Sequence, residues 1–272
     1  MNRLFVTYKP AGIGSNAFLG RLKRKYGVKK AGFSGTLDPF AQGVLLIGFG
    51  SYTKLFRFLD KTPKTYRATL WLGAKSPSLD TENIEKVEIL PPFAEQKVKE
   101  AVESFRGELT YTPPIFSAKK IDGKRAYDLA REGKMVKLKQ VTSTIYEIKM
   151  LHYMHPFVTF EASVSEGTYI RSLGELIARR LGVKGSLSML ERVREGRFRY
   201  ENEKALDIKE ALAIPKNDYL GDPKNLKYGR KLALEDLKEK SDGTYYLDAG
   251  EFLSIIKIEN GNVKYELGRV IC

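Results

Sequence analysis

The residue with the clearest chemical potential is Asp38, which lies in a stretch of turn-forming residues just before a short apolar run. The stretch covers residues 31–39 (AGFSGTLDP) and the apolar run covers residues 44–47 (VLLI), a pattern typical of a loop leading into a buried strand. A carboxylate placed at the start of a strand can act as a nucleophile. An Asp that precedes a Pro can equally form a simple Asx turn, so this segment alone leaves both interpretations open.

Metal and redox chemistry find little support in the sequence. The single cysteine is Cys272, and the two histidines, His152 and His155, lie three positions apart in a segment that reads as a turn between strands. These residues do not complete a zinc site in any familiar spacing. Glycine-rich dinucleotide loops and Walker-type loops are also missing from the sequence. We therefore expect surface histidines, no metal and no cofactor, including no nucleotide cofactor.

Net charge points to a polyanionic partner. The chain has 47 Lys and Arg against 33 Asp and Glu, for a formal charge of +14. Six basic residues fall within ten positions with no acidic residue between them: Arg21, Lys23, Arg24, Lys25, Lys29 and Lys30. A second cluster contains Arg192, Arg194, Arg197 and Arg199. Aromatic residues lie beside both clusters, which favours RNA over a solvated surface.

Hydrophobic periodicity predicts the elements that would position these residues. A helix is expected from a Ser15 or Asn16 cap to Gly27, and a second helix over 172–181. Residues 64–73 alternate as a strand that we expect to be covered on both faces, and residues 143–151 and 157–164 read as paired strands. Strands mixed with segregated helices indicate an α+β protein. No membrane-length apolar run and no signal-peptide pattern occur, so we expect a cytoplasmic protein.

Two stretches differ in character from this core. Residues 113–133 carry the prolines and charge of an excursion that could close on a ligand. After residue 216 the chain reads as short strands with turns at 242–243 and 260–261. We therefore expect a domain over 1–216 with an insertion at about 108–140, and a small all-β module over 217–272.

Six blocks of sequence, in order along the chain, resemble the bacterial tRNA pseudouridine-55 synthases. They are residues 9–16 (KPAGIGSN), 35–45 (GTLDPFAQGVL), 64–66 with 72–73, 113–119 (PPIFSAK), 126–127 with 131–133, and 167–173 (GTYIRSL). The C-terminal module resembles a shortened PUA domain, an RNA-binding β fold. The resemblance implies a mixed or antiparallel central sheet with flanking helices.

The activity that the resemblance implies is isomerisation of one uridine in the tRNA T loop, after that base has flipped out of its stack. The N1–C1′ bond breaks, the uracil rotates, and a C5–C1′ bond forms. Asp38 matches the family's nucleophile, Arg171 matches the arginine that lowers its pKa, and Tyr66 matches the tyrosine that packs on the base. Attack on C6 and attack on C1′ both remain open.

The same resemblance implies further binding residues. Lys9, Phe33, Tyr169 and Leu190 match positions near the substrate, with Lys9 as an organiser of the opening motif. RNA contacts are expected from the two basic clusters, including Arg192 and Arg194, and from Lys119 and Lys120 in the insertion. The expected partner is the T stem-loop of tRNA, bound by a monomer.

Departures from the family motifs are few. Phe33 stands where the family usually has His, Gly14 replaces a serine, Tyr8 replaces an Asp, and Glu191 replaces an Arg. Two other functions remain open. A non-catalytic RNA chaperone would keep the fold without the chemistry, and a glycosidase would pair Asp38 with Glu166 or Glu175.

Overall fold

The computed structural model describes residues 1–116, 120–121, 124–125 and 138–272, with backbone alone for 120–121 and 124–125. The helices in these residues are α1 (Ser15–Lys25), α2 (Glu95–Glu103), α3 (Ile170–Arg180), α4 (Ile208–Ala211) and α5 (Pro223–Tyr228). The strands are β1 (Arg3–Lys9), β2 (Ala31–Phe33), β3 (Gln42–Phe49), β4 (Lys64–Leu72), β5 (Ala74–Lys75), β6 (Lys86–Val87), β7 (Gly107–Tyr111), β8 (Lys120–Ile121), β9 (Lys124–Arg125), β10 (Val141–Met154), β11 (Phe157–Val164), β12 (Gly185–Glu195), β13 (Lys216–Asn217), β14 (Gly243–Asp248), β15 (Phe252–Glu259) and β16 (Asn262–Ile271).

A mixed central sheet organises the larger part of the chain. Its strand order is β1-β3-β12-β4-β11-β10-β7, with β2 added beside β3. The β3–β12 pair is parallel and the other pairs are antiparallel. The predicted α+β class with a mixed central sheet is confirmed. Because β12 lies between β3 and β4, residues from distant parts of the chain meet at the middle of the sheet.

Helices cover one face of this sheet and leave the other partly open. On β4, Tyr66, Ala68 and Leu70 are buried in a core that also contains residues of α2 and α3. The alternate residues, such as Arg67 and Trp71, are only partly buried. The expectation that this strand is covered on both faces was therefore wrong. One face holds a core, whereas the other is a polar face reached by solvent.

The start of α1 differs from the sequence prediction in an informative way. The N-cap position is Gly14, and no side chain caps the helix. The hydroxyl of Ser15 instead donates to the carbonyl of Leu37 at 2.8 Å and accepts the Leu37 N–H at 2.9 Å. Ser15 is buried by this contact. It therefore ties the first turn of α1 to the Asp38 loop, the segment of residues 34–41.

The C-terminal module forms a second sheet, in the order β13-β14-β15-β16. Apolar side chains of β15 and β16, including Leu253, Ile255 and Val270, share a core with Leu4 and Val44 of the central sheet. Small β modules are marginal by themselves, so this shared core supplies burial that the module alone could not. The boundary near residue 216 remains a prediction.

Gly43 allows β3 and β12 to approach each other. It has φ +113°, and a Cβ built there would lie 2.3 Å from the carbonyl oxygen of Arg192. Gly43 and Arg192 are paired in the parallel register of the two strands. A side chain at position 43 would therefore separate the strands at the point where the Asp38 loop enters the sheet.

We expect Gly43→Ala to lower the free energy of unfolding by about 1–3 kcal/mol, because both the positive φ and the close carbonyl oppose a Cβ. Gly20→Ala in α1 is the matched control, since its Cβ would meet only Arg24 Nη1 at 3.8 Å. That variant should gain about 0.5–1 kcal/mol from helix propensity. Urea unfolding measures both. Equal stabilities for the two variants would contradict this account of Gly43.

Candidate active site

A cavity of about 260 Å³ opens between the Asp38 loop, β4, β12 and the start of α3. It gathers five of the seven residues that were predicted to be catalytic or to bind the substrate: Asp38, Tyr66, Tyr169, Arg171 and Leu190. These residues come from four separate segments of the chain. The pocket combines the carboxylates of Asp38 and Glu166 with aromatic and apolar walls, which suits a flat, partly polar ligand.

Arg171 is the best-anchored side chain in the pocket. Its guanidinium is 4% exposed, and its Nε lies 2.9 Å from Asp38 Oδ2. Nη1 donates to the Ser78 carbonyl at 2.7 Å and lies 3.3 Å from Asp80 Oδ2, while Nη2 donates to the Phe116 carbonyl at 2.7 Å. Four acceptors thus fix the planar group, which in turn fixes the Asp38 carboxylate.

Asp38 feels two opposing influences on its pKa. Burial raises the pKa of this carboxyl above its ordinary value of 3.8, the Arg171 guanidinium opposes the rise, and the negative charge of Asp80 adds to it. The family resemblance implied a lowered pKa for Asp38. The effect of Arg171 has the expected direction, but burial and Asp80 outweigh it, so the net shift is upward.

The walls of the pocket come from neighbouring strands. Tyr66 is 9% exposed and Leu190 is 5% exposed, and the β4–β12 register places Leu190 opposite Ala68. Tyr169 lies just before α3, and its N–H donates to the Tyr111 hydroxyl at 2.8 Å. Strand pairing and this hydrogen bond hold the walls in place around the Asp38 carboxylate.

Lys9 organises the loops below the pocket. Its side chain is fully buried, and Nζ donates to the carbonyls of Ile13 at 2.6 Å and Pro10 at 2.9 Å. Burial lowers the pKa of Lys9 to about 8, although the negative charge of Asp38 acts in the opposite direction. These contacts agree with the organising role expected for Lys9.

A buried group of charges lies behind the Asp38 loop. Glu195 is fully buried; its Oε1 accepts the Ser34 hydroxyl at 2.6 Å and lies 3.3 Å from Lys64 Nζ. Its other oxygen lies 3.4 Å from Arg192 Nη2, and Arg192 in turn donates to the Gly35 carbonyl at 3.0 Å. Lys64 and Arg192 also border the pocket. The loop that carries Asp38 is therefore held from behind by hydrogen bonds to charged groups.

The family profile "TruB family pseudouridylate synthase (N terminal domain)" matches residues 23–170. This segment contains the Asp38 loop and ends one residue before Arg171. The chain belongs to the TruB family.

Relatives of known name agree along the whole chain. The tRNA pseudouridine synthase B of Sulfurimonas denitrificans is 68% identical and covers 100% of both chains. The enzyme of the same name from Sulfurovum sp. is 57% identical over 99% of this chain and 98% of its own, and that of Campylobacter jejuni (strain RM1221) is 49% identical over 99% of each. The predicted function, formation of pseudouridine in tRNA by an isomerase, is confirmed.

Solved structures agree with the fold. The crystal structure of a Cbf5-Nop10-Gar1 complex has a chain that matches with a TM-score of 0.68 at 20% identity, over 99% of this chain and 84% of that one. The structure of an H/ACA RNP bound to a substrate RNA containing 2′-deoxyuridine matches with a TM-score of 0.64 at 19% identity, over 99% of this chain and 84% of that one. At this identity the likeness concerns the fold alone.

Most residues predicted to bind RNA lie on the surface of the TruB domain. Arg21, Arg24, Lys29 and Lys30 are exposed on or just after α1, and Lys23 is partly buried. The charge of Lys25 is already paired, because its Nζ lies 2.6 Å from Glu203 Oε2. Lys119 lies outside the described residues, as does the side chain of Lys120.

Neither Arg192 nor Arg194 of the second basic cluster is fully exposed. Arg192 is 1% exposed and hydrogen bonded to backbone carbonyls of the Asp38 loop and β3, so it supports the loop from the pocket side and is not part of an exposed basic surface. Arg194 lies on the open face of the sheet, where its Nε donates to Thr65 Oγ1 at 2.8 Å. A β-bulge between Arg192 and Arg194 pairs Arg194 with Thr65, so Arg194 lies on the face away from the pocket.

Phe33 also differs from expectation. It belongs to β2, pairs with Ile47, and packs partly buried against the cluster that contains Phe5, Phe18 and Phe49. It is not among the residues that line the pocket. The β2–β3 pairing therefore makes Phe33 a support of the Asp38 loop in the free protein.

Two departures from the family motifs meet in space. The Tyr8 hydroxyl donates to Glu191 Oε1 at 2.9 Å. Burial, together with this hydrogen bond, raises the pKa of Tyr8 to about 12. The family usually places an acid and an arginine at these positions. In this chain the two departures are therefore joined by one hydrogen bond.

Sequence reasoning missed Asp80, Lys64 and Glu195. Asp80 follows residues 76–79 (SPSL), to which no role was assigned from sequence, yet it is 3% exposed and Oδ1 accepts the Ser78 hydroxyl at 2.5 Å. Lys64 belonged to a recognised block without an assigned role. Glu195 sits in a charged strand end, where the sequence holds no sign of burial.

In the part of the chain that the structure describes, no cluster of three His, Cys, Asp or Glu could bind a metal ion, and no helix is long and apolar enough to cross a membrane. Of the two histidines, His155 is not a free surface group. Its ring nitrogens lie 3.1 Å from the Tyr153 hydroxyl and 2.8 Å from the Leu90 carbonyl.

Asp80→Asn should move the acid limb of the single-turnover rate to lower pH. Asp80 raises the pKa of Asp38, so removing its charge leaves more Asp38 ionised at any acidic pH. Pseudouridine formation in tRNA, followed from acidic to neutral pH, measures the limb. Glu82→Gln removes an exposed charge two residues away and should leave it in place. An acid limb that stays in place or moves to higher pH in Asp80→Asn would contradict this electrostatic account.

Proposed function

We propose that this protein isomerises one uridine in the T loop of tRNA, with Asp38 as the nucleophile. The observation that carries the proposal is the Asp38–Arg171 ion pair, 2.9 Å long, inside a 260 Å³ pocket. The carboxylate is one-third exposed and so can be reached by a substrate, whereas the guanidinium is almost fully buried and cannot move away. This combination suits a nucleophile with a fixed orientation.

The reaction that fits the pocket is an isomerisation without an external reactant. Asp38 attacks either C6 of the base or C1′ of the sugar, and the N1–C1′ bond breaks. The uracil turns so that C5 faces C1′, the C5–C1′ bond forms, and the bond from Asp38 to C1′ or C6 breaks, which restores the free carboxylate. The C5 proton leaves, and N1 gains a proton. Atoms and electrons balance within the nucleotide, so the residues of the pocket can supply everything that the reaction requires.

Each pocket residue has a role consistent with its position. Tyr66 offers a ring that can pack on the uracil, and its hydroxyl is a candidate acceptor of the C5 proton. Leu190 and Tyr169 confine the base while it turns. Arg171 orients the Asp38 carboxylate and favours its ionised form. These roles rest on the position of each residue around the cavity.

Base flipping is required because a stacked base cannot enter an enclosed cavity. Extruding a nucleotide costs a few kcal/mol, which the protein must recover through contacts to the RNA backbone. The exposed cations of α1 and the turn after it, Arg21, Arg24, Lys29 and Lys30, are suited to phosphate contacts. We propose that they bind the T stem, and that the 217–272 module is PUA-like and adds RNA affinity.

The alternative functions fit the pocket less well. A glycosidase needs a second carboxyl with a raised pKa as the general acid. Glu175 pairs with Arg179 and does not line the pocket. Burial tends to raise the pKa of Glu166, but Lys61 and Lys64 lower it below the ordinary value. A non-catalytic RNA chaperone would not require the Asp38–Arg171 pair.

We further propose that the protein acts as a monomer in the cytoplasm.

Asp38→Asn tests this function directly. The amide keeps the size of the side chain and can still accept a hydrogen bond from Arg171, but it is not a nucleophile. We expect tRNA affinity within about tenfold of the parent and a single-turnover rate reduced at least about 10³-fold. Tritium release from T-arm RNA carrying 5-tritiated uridine measures the rate, and filter binding measures the affinity.

Asp218→Asn is the matched control, because it removes the same charge from an exposed site in the C-terminal module. It should turn over like the parent. Residual turnover of Asp38→Asn above a few per cent would show that Asp38 is not the nucleophile. No release of tritium by the parent protein would overturn the T-loop assignment itself.

A further inference from the structure

Glu166 occupies the mouth of the pocket in an unusual arrangement. Its Oε1 lies 2.9 Å from Lys61 Nζ and 3.4 Å from Lys64 Nζ, so one carboxylate oxygen sits between two ammonium groups. Glu166 and Lys64 both line the cavity that contains Asp38. The Glu166 side chain is 48% exposed, whereas those of Lys61 and Lys64 are 19% and 5% exposed. The two cations are therefore fixed, and the anion between them is at the surface.

The balance of charge at this mouth depends on Glu166. Three cations lie together there: Lys61, Lys64 and Arg192. Glu195 is within 3.4 Å of both Lys64 and Arg192, and because it is fully buried it stays with them. Glu166 is the second anion of the group. Without it the five-residue group would carry two uncompensated positive charges beside the Asp38 pocket.

A uridine that enters this pocket from an RNA strand brings a phosphodiester on each side. A phosphate oxygen placed between two lysine ammoniums makes the same kind of contact as the Glu166 oxygen. We propose that Lys61 and Lys64 form a binding subsite for one backbone phosphate next to the target uridine, and that Glu166 occupies this subsite in the free protein. This inference rests on the proposed function, since it requires an RNA nucleotide at Asp38.

Glu166 is well placed to leave when RNA arrives. It lies in the turn between β11 and α3, beside Gly167, whose φ is +84° and whose surroundings are open. Its carboxylate can return to water at little cost because the side chain is already half exposed. Every RNA that binds must nevertheless break both ion pairs. Glu166 therefore acts as an intramolecular competitor that lowers the affinity for RNA.

The test is a variant that should bind RNA more tightly. Glu166→Gln keeps the shape of the side chain and removes its charge. We expect the Kd for T-arm RNA to fall by about 2- to 10-fold. The slope of log K against log salt should steepen by about 0.7–0.9, the value of one additional phosphate contact. An unchanged or weaker Kd would overturn the proposal.

Glu161→Gln is the matched control. Glu161 also touches two basic residues, Arg67 at 3.0 Å and Lys149 at 3.5 Å, but it lies on β11 on the open face of the sheet, facing away from the pocket. Glu161→Gln removes the same charge without opening the subsite, so the Kd of this variant for T-arm RNA should stay close to that of the parent. Equal tightening in both variants would show a general charge effect and would overturn the subsite.

A second comparison ties the gain to the two lysines and to one phosphate. Adding Lys61→Met to Glu166→Gln should remove most of the gain. T-arm RNAs with a single neutral methylphosphonate should lose the gain at one position flanking the target uridine and retain it elsewhere. A gain that survives at both flanking positions would contradict the phosphate assignment. Pseudouridine formation by the parent is measured in parallel, so failure of the proposed function is distinguishable from failure of the subsite.

Discussion

The guanidinium of Arg171 is the constraint around which the site is built. A buried arginine must have its donors satisfied, and here the acceptors come from the Asp38 loop, from residues 78 and 80, and from residue 116. Only one of these acceptors, Asp38, is open to the pocket. Because the others saturate the rest of the guanidinium, its Nε is left facing the Asp38 carboxylate. The hydrogen bonds that satisfy the donors of Arg171 therefore also fix the orientation of the Asp38 carboxylate.

The fold supplies this arrangement through strand pairing. The parallel contact between β3 and β12 brings Arg192 under the Asp38 loop, and α3 carries Arg171 across the face of β4. The buried Glu195 balances the positive charge that this approach creates. Removing one charge from such a buried group destabilises the protein by more than the ion pair stabilises it, because the remaining charge is left buried without a partner. The Asp38 loop is therefore held by charged groups, none of which can be replaced alone without destabilising the protein.

Local patterns predicted much of this site. The alternation of residues 64–73 predicted β4, and the motif blocks indicated Asp38, Tyr66 and Arg171 before any geometry was known. Asp80, Glu195 and the roles of Ser15 and Arg192 depend on contacts between distant segments, which periodicity does not report. Phe33 illustrates the same limit. The residues around it are typical of turns, which hid the short strand pairing between β2 and β3. That pairing directs Phe33 into a hydrophobic cluster beneath the Asp38 loop.

The most direct measurement is a ¹³C NMR titration of the Asp38 carboxyl in aspartate-labelled protein, with Asp38→Asn used to assign its resonance. The account predicts a midpoint above 3.8 in the parent, because burial and Asp80 raise the pKa, and a still higher midpoint in Arg171→Met, because the opposing guanidinium is lost. A midpoint that is unchanged or lower in Arg171→Met would show that Arg171 does not favour the Asp38 carboxylate, and would contradict the central claim.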